Sequence, residues 1–258
     1  MGKFDSSKTR VVPVFDELKR RDPIGGGWLQ KLLALPRGSS AASVRIDPTQ
    51  GIQHSGWGKD EVGLDPPVAL LSWLLRHPRQ PCSGGLSKDA GRAAKRQQWL
   101  TGAKETIGEG LALLRNNPKG ERWHIFEGTT KPDVYIETAE VIVVIEGKRT
   151  EEIPTIGTKW MAGRHQMLRH IDDAWEIRGN KRVVGFFIVE GAEQDGQVPP
   201  EWLTFAQQTT SPDAISGSLP HRSSEEQAAI AECFIGVTTW QIVCTTFGIE
   251  WGSLPDAV

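Results

Sequence analysis

Residues 132–148 read Pro-Asp-Val-Tyr-Ile-Glu-Thr-Ala-Glu-Val-Ile-Val-Val-Ile-Glu-Gly-Lys, and the fold turns on how this stretch pairs with itself. Two runs rich in β-branched residues, 134–137 and 141–145, flank Thr138-Ala139-Glu140, which predicts an antiparallel hairpin. Side chains alternate faces along a strand, so Glu146 and Lys148 project from one side and Gly147 from the other. An even turn at Ala139-Glu140 sets Thr138 against Val141 and Asp133 directly opposite Glu146. An odd loop without a bulge pairs Asp133 with Ile145 and turns it to the other face.

In the first register two carboxylates meet with a lysine beside them. That set suits a hard divalent ion such as Mg²⁺, which takes one or two carboxylates, keeps several waters and binds substrate phosphate. Such an ion polarises a phosphoryl oxygen and lowers the pKa of an attacking water. Asp133 and Glu146 are the candidate ligands. Lys148 is the candidate group for holding the water or offsetting phosphate charge. The bland reading makes Asp133 a turn residue and Glu146 and Lys148 a solvated pair at a strand end.

With Pro132-Asp133 as the PD element and Glu146-Gly147-Lys148 as the ExK element, the chain resembles the PD-(D/E)xK nuclease superfamily. The resemblance extends over roughly residues 90–190: a helix at 90–115, strands at 123–127, 133–137 and 141–148, a helix at 159–177 and a strand at 182–189. It implies an α/β fold with a restriction-endonuclease-like core, a central mixed sheet flanked by helices. It also implies hydrolysis of nucleic acid, usually DNA, with Mg²⁺ or Mn²⁺. Many members add an acid from the first helix to the metal site. Glu105 and Glu109 are the candidates here, and Glu109 is carried as a third metal ligand, although both lie nearly opposite that helix's apolar stripe. Glu127 is the alternative. Exonuclease-like branches carry a glutamine and, four residues later, a tyrosine on the second helix. Gln166 matches, as an active-site or phosphate contact, but His170 stands in the tyrosine position. By themselves His165 and His170 read as surface histidines.

Around this centre, residues 1–85 read as a helical and loop extension docking on a nuclease-like domain at 86–258. Short helices are expected at 15–22 and 28–35, loop at 36–67, and a helix at 68–76 opened by Pro66-Pro67 and stopped by Pro78. The segment 182–189, Arg-Val-Val-Gly-Phe-Phe-Ile-Val, reads as a strand buried on both faces. Ser223 and Glu226 form a capping box for a helix to about 234, and residues 238–247 read as strand or helix, with a helix capped by Thr239 the expectation.

A chain of 258 residues with 38% hydrophobic content and ten tryptophans can bury a full core. Three scattered cysteines, Cys82, Cys233 and Cys244, argue against a disulfide framework or a zinc set. No apolar run approaches a membrane span, and the N-terminus lacks a signal-peptide core, so the expected location is cytoplasmic. The formal net charge is −2, but residues 76–122 carry ten Lys/Arg against four acids, and residues 190–258 one arginine against ten acids. That asymmetry suits a phosphate-binding face on one side. Gly147-Lys148 is not a P-loop, since residue 142 is Ile and residue 149 is Arg. The leading expectation is a Mg²⁺-dependent deoxyribonuclease whose partner is DNA, with a homodimer or a partner protein reached through the extension. The alternative is a nuclease-like binding or structural subunit that does not cleave.

Overall fold

The hairpin forms in the even register. In the computed structural model, which describes residues 6–38, 50–191 and 196–256, β3 (Val134–Glu137) and β4 (Val141–Gly147) are antiparallel with Val134 opposite Ile145. The Thr138 amide donates to the Val141 carbonyl at 2.9 Å, and the Thr138 hydroxyl accepts from the Glu140 and Val141 amides. Asp133 therefore falls one step beyond Val134, across from Glu146.

This hairpin is the middle of a six-stranded mixed sheet of order β1-β6-β5-β4-β3-β2. β5 (Arg182–Val189) runs parallel to β4, and β6 (Phe234–Thr239) parallel to β5. The edges are β1 (Arg37–Gly38) on β6 and β2 (His54–Trp57) on β3, both antiparallel. Both edges come from the 36–67 stretch expected to be loop. They are too short, and His54-Ser55-Gly56-Trp57 too polar, to carry a strand signal of their own. Residues 39–49 of that stretch lie outside the described residues.

Alternation on β3, β4 and β5 sorts their side chains into two cores. One face presents Val134, Ile136, Val141, Val143, Ile145, Val184, Phe186 and Ile188. It is covered by a π-helical turn (Ser7–Val11) running into α1 (Val12–Arg21), and by α2 (Leu29–Leu33). The other face presents Tyr135, Ile142, Val144, Val183, Phe187 and Val189 to helices that follow β4 in sequence. A third core gathers α3 (Val68–Arg76), α4 (Ala90–Leu100) and α5 (Lys104–Asn116) around Trp99, Phe126 and Trp160. The second face is covered by α6 (Gln166–Ile177), α7 (Pro200–Thr209), α8 (Pro212–Ser218) and α9 (Ser224–Ala231). α10 (Trp240–Phe247) returns to the first face. Residues 1–85, read from the sequence as an extension, thus contribute both edge strands and helices of two cores.

Several expected elements differ. The single helix at 90–115 is two, broken where Thr101 caps α4 and Gly102 adopts φ +73°. The strand expected at 123–127 is irregular, because Arg96 is buried beneath it and donates to the carbonyls of Arg122, Trp123 and Ile125. Those acceptors are not offered to a sheet. The helix expected from 159 begins at Gln166, since 158–163 folds into a turn with Thr158 bridged to Met161. β6 lies where the helix from Ser223 and the one from Thr239 were expected almost to meet. Both caps themselves form: the Ser223–Glu226 box is reciprocal, and Thr239 Oγ1 accepts from the Ile242 amide at 3.2 Å.

Candidate active site

The C-terminal end of β4 is where polar chemistry enters an apolar sheet. Glu146 follows Ile142 and Val144 on the face toward α6, and it is 6% exposed. A carboxylate this buried needs partners. Its Oε1 accepts from Gln166 Nε2 at 2.6 Å and from Lys148 Nζ at 3.1 Å, and its Oε2 lies 3.1 Å from His170 Nε2. A carboxylate can only accept, so that imidazole nitrogen carries the proton. Thr130 Oγ1 meets the other ring nitrogen at 3.0 Å. Burial pushes the Glu146 carboxyl up, but His170 and Lys148 outweigh it and hold the group below its ordinary value.

Asp133 is half-buried at the mouth of the hairpin, and its Oδ2 accepts from the Gly147 amide at 2.8 Å. Burial, and then the charge of Glu146, push its carboxyl up to about 8, against the opposing pull of that amide and of Lys148. Of the pair, Asp133 is therefore the member whose neutral form is favoured near neutral pH. The negative field at Asp133 has a further source in Glu61, just past β2. Gly147 is required by packing: a Cβ there would sit 2.9 Å from both Trp240 Cζ2 and Val11 Cγ2.

Of the residues singled out in the sequence, Asp133, Glu146, Lys148 and Gln166 come together here. Glu109 does not. It is exposed on α5 with its carboxylate 2.7 Å from Lys95 Nζ, and no contact among the described residues joins it to Asp133 or Glu146. Glu127 is buried but occupied. Arg164 meets it with Nε at 3.2 Å and a terminal nitrogen at 3.0 Å, and also lies 2.9 Å from Asp172 and 3.4 Å from Asp173. Neither histidine is at the surface. His170 is 2% exposed and on Glu146, while His165 is buried against Phe205.

Sequence reasoning thus missed His170, Glu61 and the Arg164 cluster. A usable signal for His170 was its place one turn after Gln166 on one helix face. For the cluster it was Asp172-Asp173 set between Ile171 and Ala174. The basic stretch 76–122 is partly spent within the protein. Arg92 pairs with Glu121, Lys95 with Glu109 and Lys119 with Asp65, and Arg96 is buried.

Two carboxylates, one protonated only because a like charge and burial disfavour its ionisation, suit a divalent cation that would relieve both costs. Gln166 Oε1, buried without a partner, is a further oxygen in the same place. Among the described residues no group of three or more His, Cys, Asp or Glu could hold a metal by itself. An ion here would draw on two carboxylates plus water or substrate oxygens, as Mg²⁺ commonly does. No helix among the described residues is long and apolar enough to cross a membrane. Comparison with protein-family models, with curated proteins and with solved structures gives no match for this chain.

Proposed function

We propose that the protein is a metal-dependent nuclease acting on DNA, with Asp133 and Glu146 as metal ligands and Lys148 as the assisting cation. The observation that carries this reading is the register of the hairpin, which sets Asp133 across from Glu146 with Lys148 Nζ 3.1 Å from the latter. The element order supports it as well. Helix, three strands, helix, strand is met by α1, β2, β3, β4, α6 and β5. The first strand is then β2, with α2 and β1 added between it and α1 and residues 58–131 inserted after it, in a restriction-endonuclease-like core.

A bound Mg²⁺ or Mn²⁺ would polarise the scissile phosphoryl group and acidify an attacking water. The chain's own residues do the rest. Gln166 and His170 fix the Glu146 carboxylate in one rotamer, which pre-sets its oxygens. Asp133 would release its proton to solvent on becoming a ligand. Lys148, buried beside them, is placed to hold the water or to offset the charge gathering on phosphate.

A second reading, a nuclease-like subunit that binds without cutting, is favoured by one observation: three side chains already satisfy Glu146. Mn²⁺ titration followed by paramagnetic resonance separates the two. The nuclease reading expects a bound Mn²⁺ that is lost in Asp133→Ala and retained in Lys148→Ala. Wild-type protein that takes up no Mn²⁺, alone or with DNA, would remove the reading.

A further inference from the structure

The cations of the helical lobe around the third core fall into two sets. Arg92, Lys95 and Lys119 are spent on Glu121, Glu109 and Asp65, and Arg96 is buried. Arg76, Arg79 and Lys104 have no carboxylate partner among the described residues, and they gather at one end of the lobe. Arg76 closes α3, and the Trp99 indole near the end of α4 donates to the adjacent Leu75 carbonyl at 2.8 Å. The turn at Thr101-Gly102 then opens α5 at Lys104. Arg76 and Lys104 are exposed, and Arg79 follows α3 on the same segment.

Arg79 is held in place. Its guanidinium lies 4.5 Å from the Trp73 ring centroid, and His77 stacks on the same ring at 4.3 Å with planes 22° apart. His77 Nδ1 donates to the Trp73 carbonyl at 2.7 Å, which locks the stack. A cation fixed in this way loses less freedom on taking a phosphate. The segment is also docked on the candidate active site's own loop, where the Cys82 amide donates to the Lys159 carbonyl at 2.6 Å. Lys159 lies between Lys148 and Gln166 in sequence, and its ammonium, 5.5 Å from the Trp160 ring, has no carboxylate partner among the described residues. Against these four cations this end carries Glu105, exposed beside Lys104. The same loop starts in opposite surroundings. Directly after Lys148, Glu151 and Glu152 line a hollow of about 430 Å³ with Glu190, Glu201 and Arg149. A phosphate backbone leaving Lys148 is repelled on that side and attracted toward the lobe.

We propose that this end of the lobe is the DNA-binding surface, with backbone phosphates of the strand leaving the candidate centre seated on Arg76, Arg79, Lys104 and Lys159. The contacts are to phosphate, so they position the nucleic acid and carry affinity without reading sequence. A nucleic acid fits because it repeats a negative charge along its length, and the cations are reached from Lys148 along one loop. The inference rests on the nuclease reading for the identity of the polyanion and for where it is cut.

The test is binding, in Ca²⁺, of a fluorescent single-stranded DNA and of its duplex over a range of KCl concentrations. Each phosphate contact adds about 0.7 for a single strand, or about 0.9 for a duplex, to the slope of log affinity against log salt. Arg76→Ala with Arg79→Ala should therefore make that slope shallower by about 1.4 to 1.8. Lys104→Ala with Lys159→Ala, which leaves the Trp73 stack intact, should do the same. Lys95→Ala, whose cation is spent on Glu109, should leave the slope as it is. Unchanged slopes in both double variants, an equal loss per charge in Lys95→Ala, or no salt-sensitive binding of either DNA would overturn the proposal. Polyglutamate competing as well as DNA at equal charge would also overturn it, in favour of an acidic protein partner. Because the readout is affinity, the two readings fail separately. Shallower slopes without cleavage in Mg²⁺ or Mn²⁺ remove the nuclease and keep the surface. Cleavage with unchanged slopes does the reverse.

Discussion

Asp133 is the residue on which the chemistry is most exposed to measurement. Burial and the charge of Glu146 push its carboxyl up to about 8 in the folded protein, against about 4 in an unfolded chain. Between those values the folded protein holds a proton that the unfolded chain has lost. Stability without metal should therefore fall as pH rises from about 4 to about 8, and Asp133→Asn should flatten that slope in urea denaturation followed across pH. Metal binding should displace the proton. Calorimetry at pH 7 in buffers of different ionisation enthalpy should report close to one proton released per Mn²⁺, and affinity should climb with pH and level off above about 8. At this scale the motif residues were legible because a period of two fixes which of them share a face. That His170 shares a helix face with Gln166 was legible too, but its contact with Glu146 was not, because nothing in one helix turn says which part of the sheet will lie beneath it.

Gly147 links residue to element. Its missing Cβ lets β4 lie against Val11 and Trp240, and the Trp240 indole donates to the Lys148 carbonyl at 3.1 Å. Gly147→Ala forces those side chains or the strand end to shift, with an expected loss of about 1–3 kcal/mol in urea denaturation. Mn²⁺ affinity should weaken with it, since the Gly147 amide is the donor that orients Asp133. Elements whose reasons are local were readable from the sequence. β5 is a continuous apolar run, and the caps at Ser223 and Thr239 are set by hydroxyls three residues before the amides they accept from. Elements whose reasons are tertiary were not. Residues 123–127 are apolar enough for a strand, but a buried arginine from α4 takes their carbonyls.

Across the whole molecule, Arg164 joins the parts. It binds Glu127 at the end of the third core, Asp172 and Asp173 on α6 and the Ser218 carbonyl at the end of α8, with Arg222 closing on Asp172 at 2.8 Å. Removing one member of such a buried set strands its opposite charges. Arg164→Met should cost about 3–5 kcal/mol by thermal or urea unfolding. Burial and the neighbouring Glu127 and Asp172 push the Asp173 carboxyl well up against the pull of Arg164, which favours its neutral form. Asp173→Asn should therefore be close to neutral. The mixed α/β sheet flanked by helices was legible from the order of its central strands. The origin of both edge strands in the first 57 residues was not, since pairing at a sheet edge needs neither length nor an apolar pattern in the edge strand itself.

The rate at which labelled single-stranded DNA is cut in Mn²⁺ by wild type and by Lys148→Ala tests the proposed nuclease activity most directly. The prediction is metal-dependent cleavage that falls by roughly 10²- to 10³-fold in the variant, as removal of one charge-stabilising donor commonly gives, while Mn²⁺ binding persists. Cleavage at the same rate in both proteins, or none in wild type at any concentration of Mg²⁺ or Mn²⁺ with linear, circular or single-stranded DNA, would contradict it.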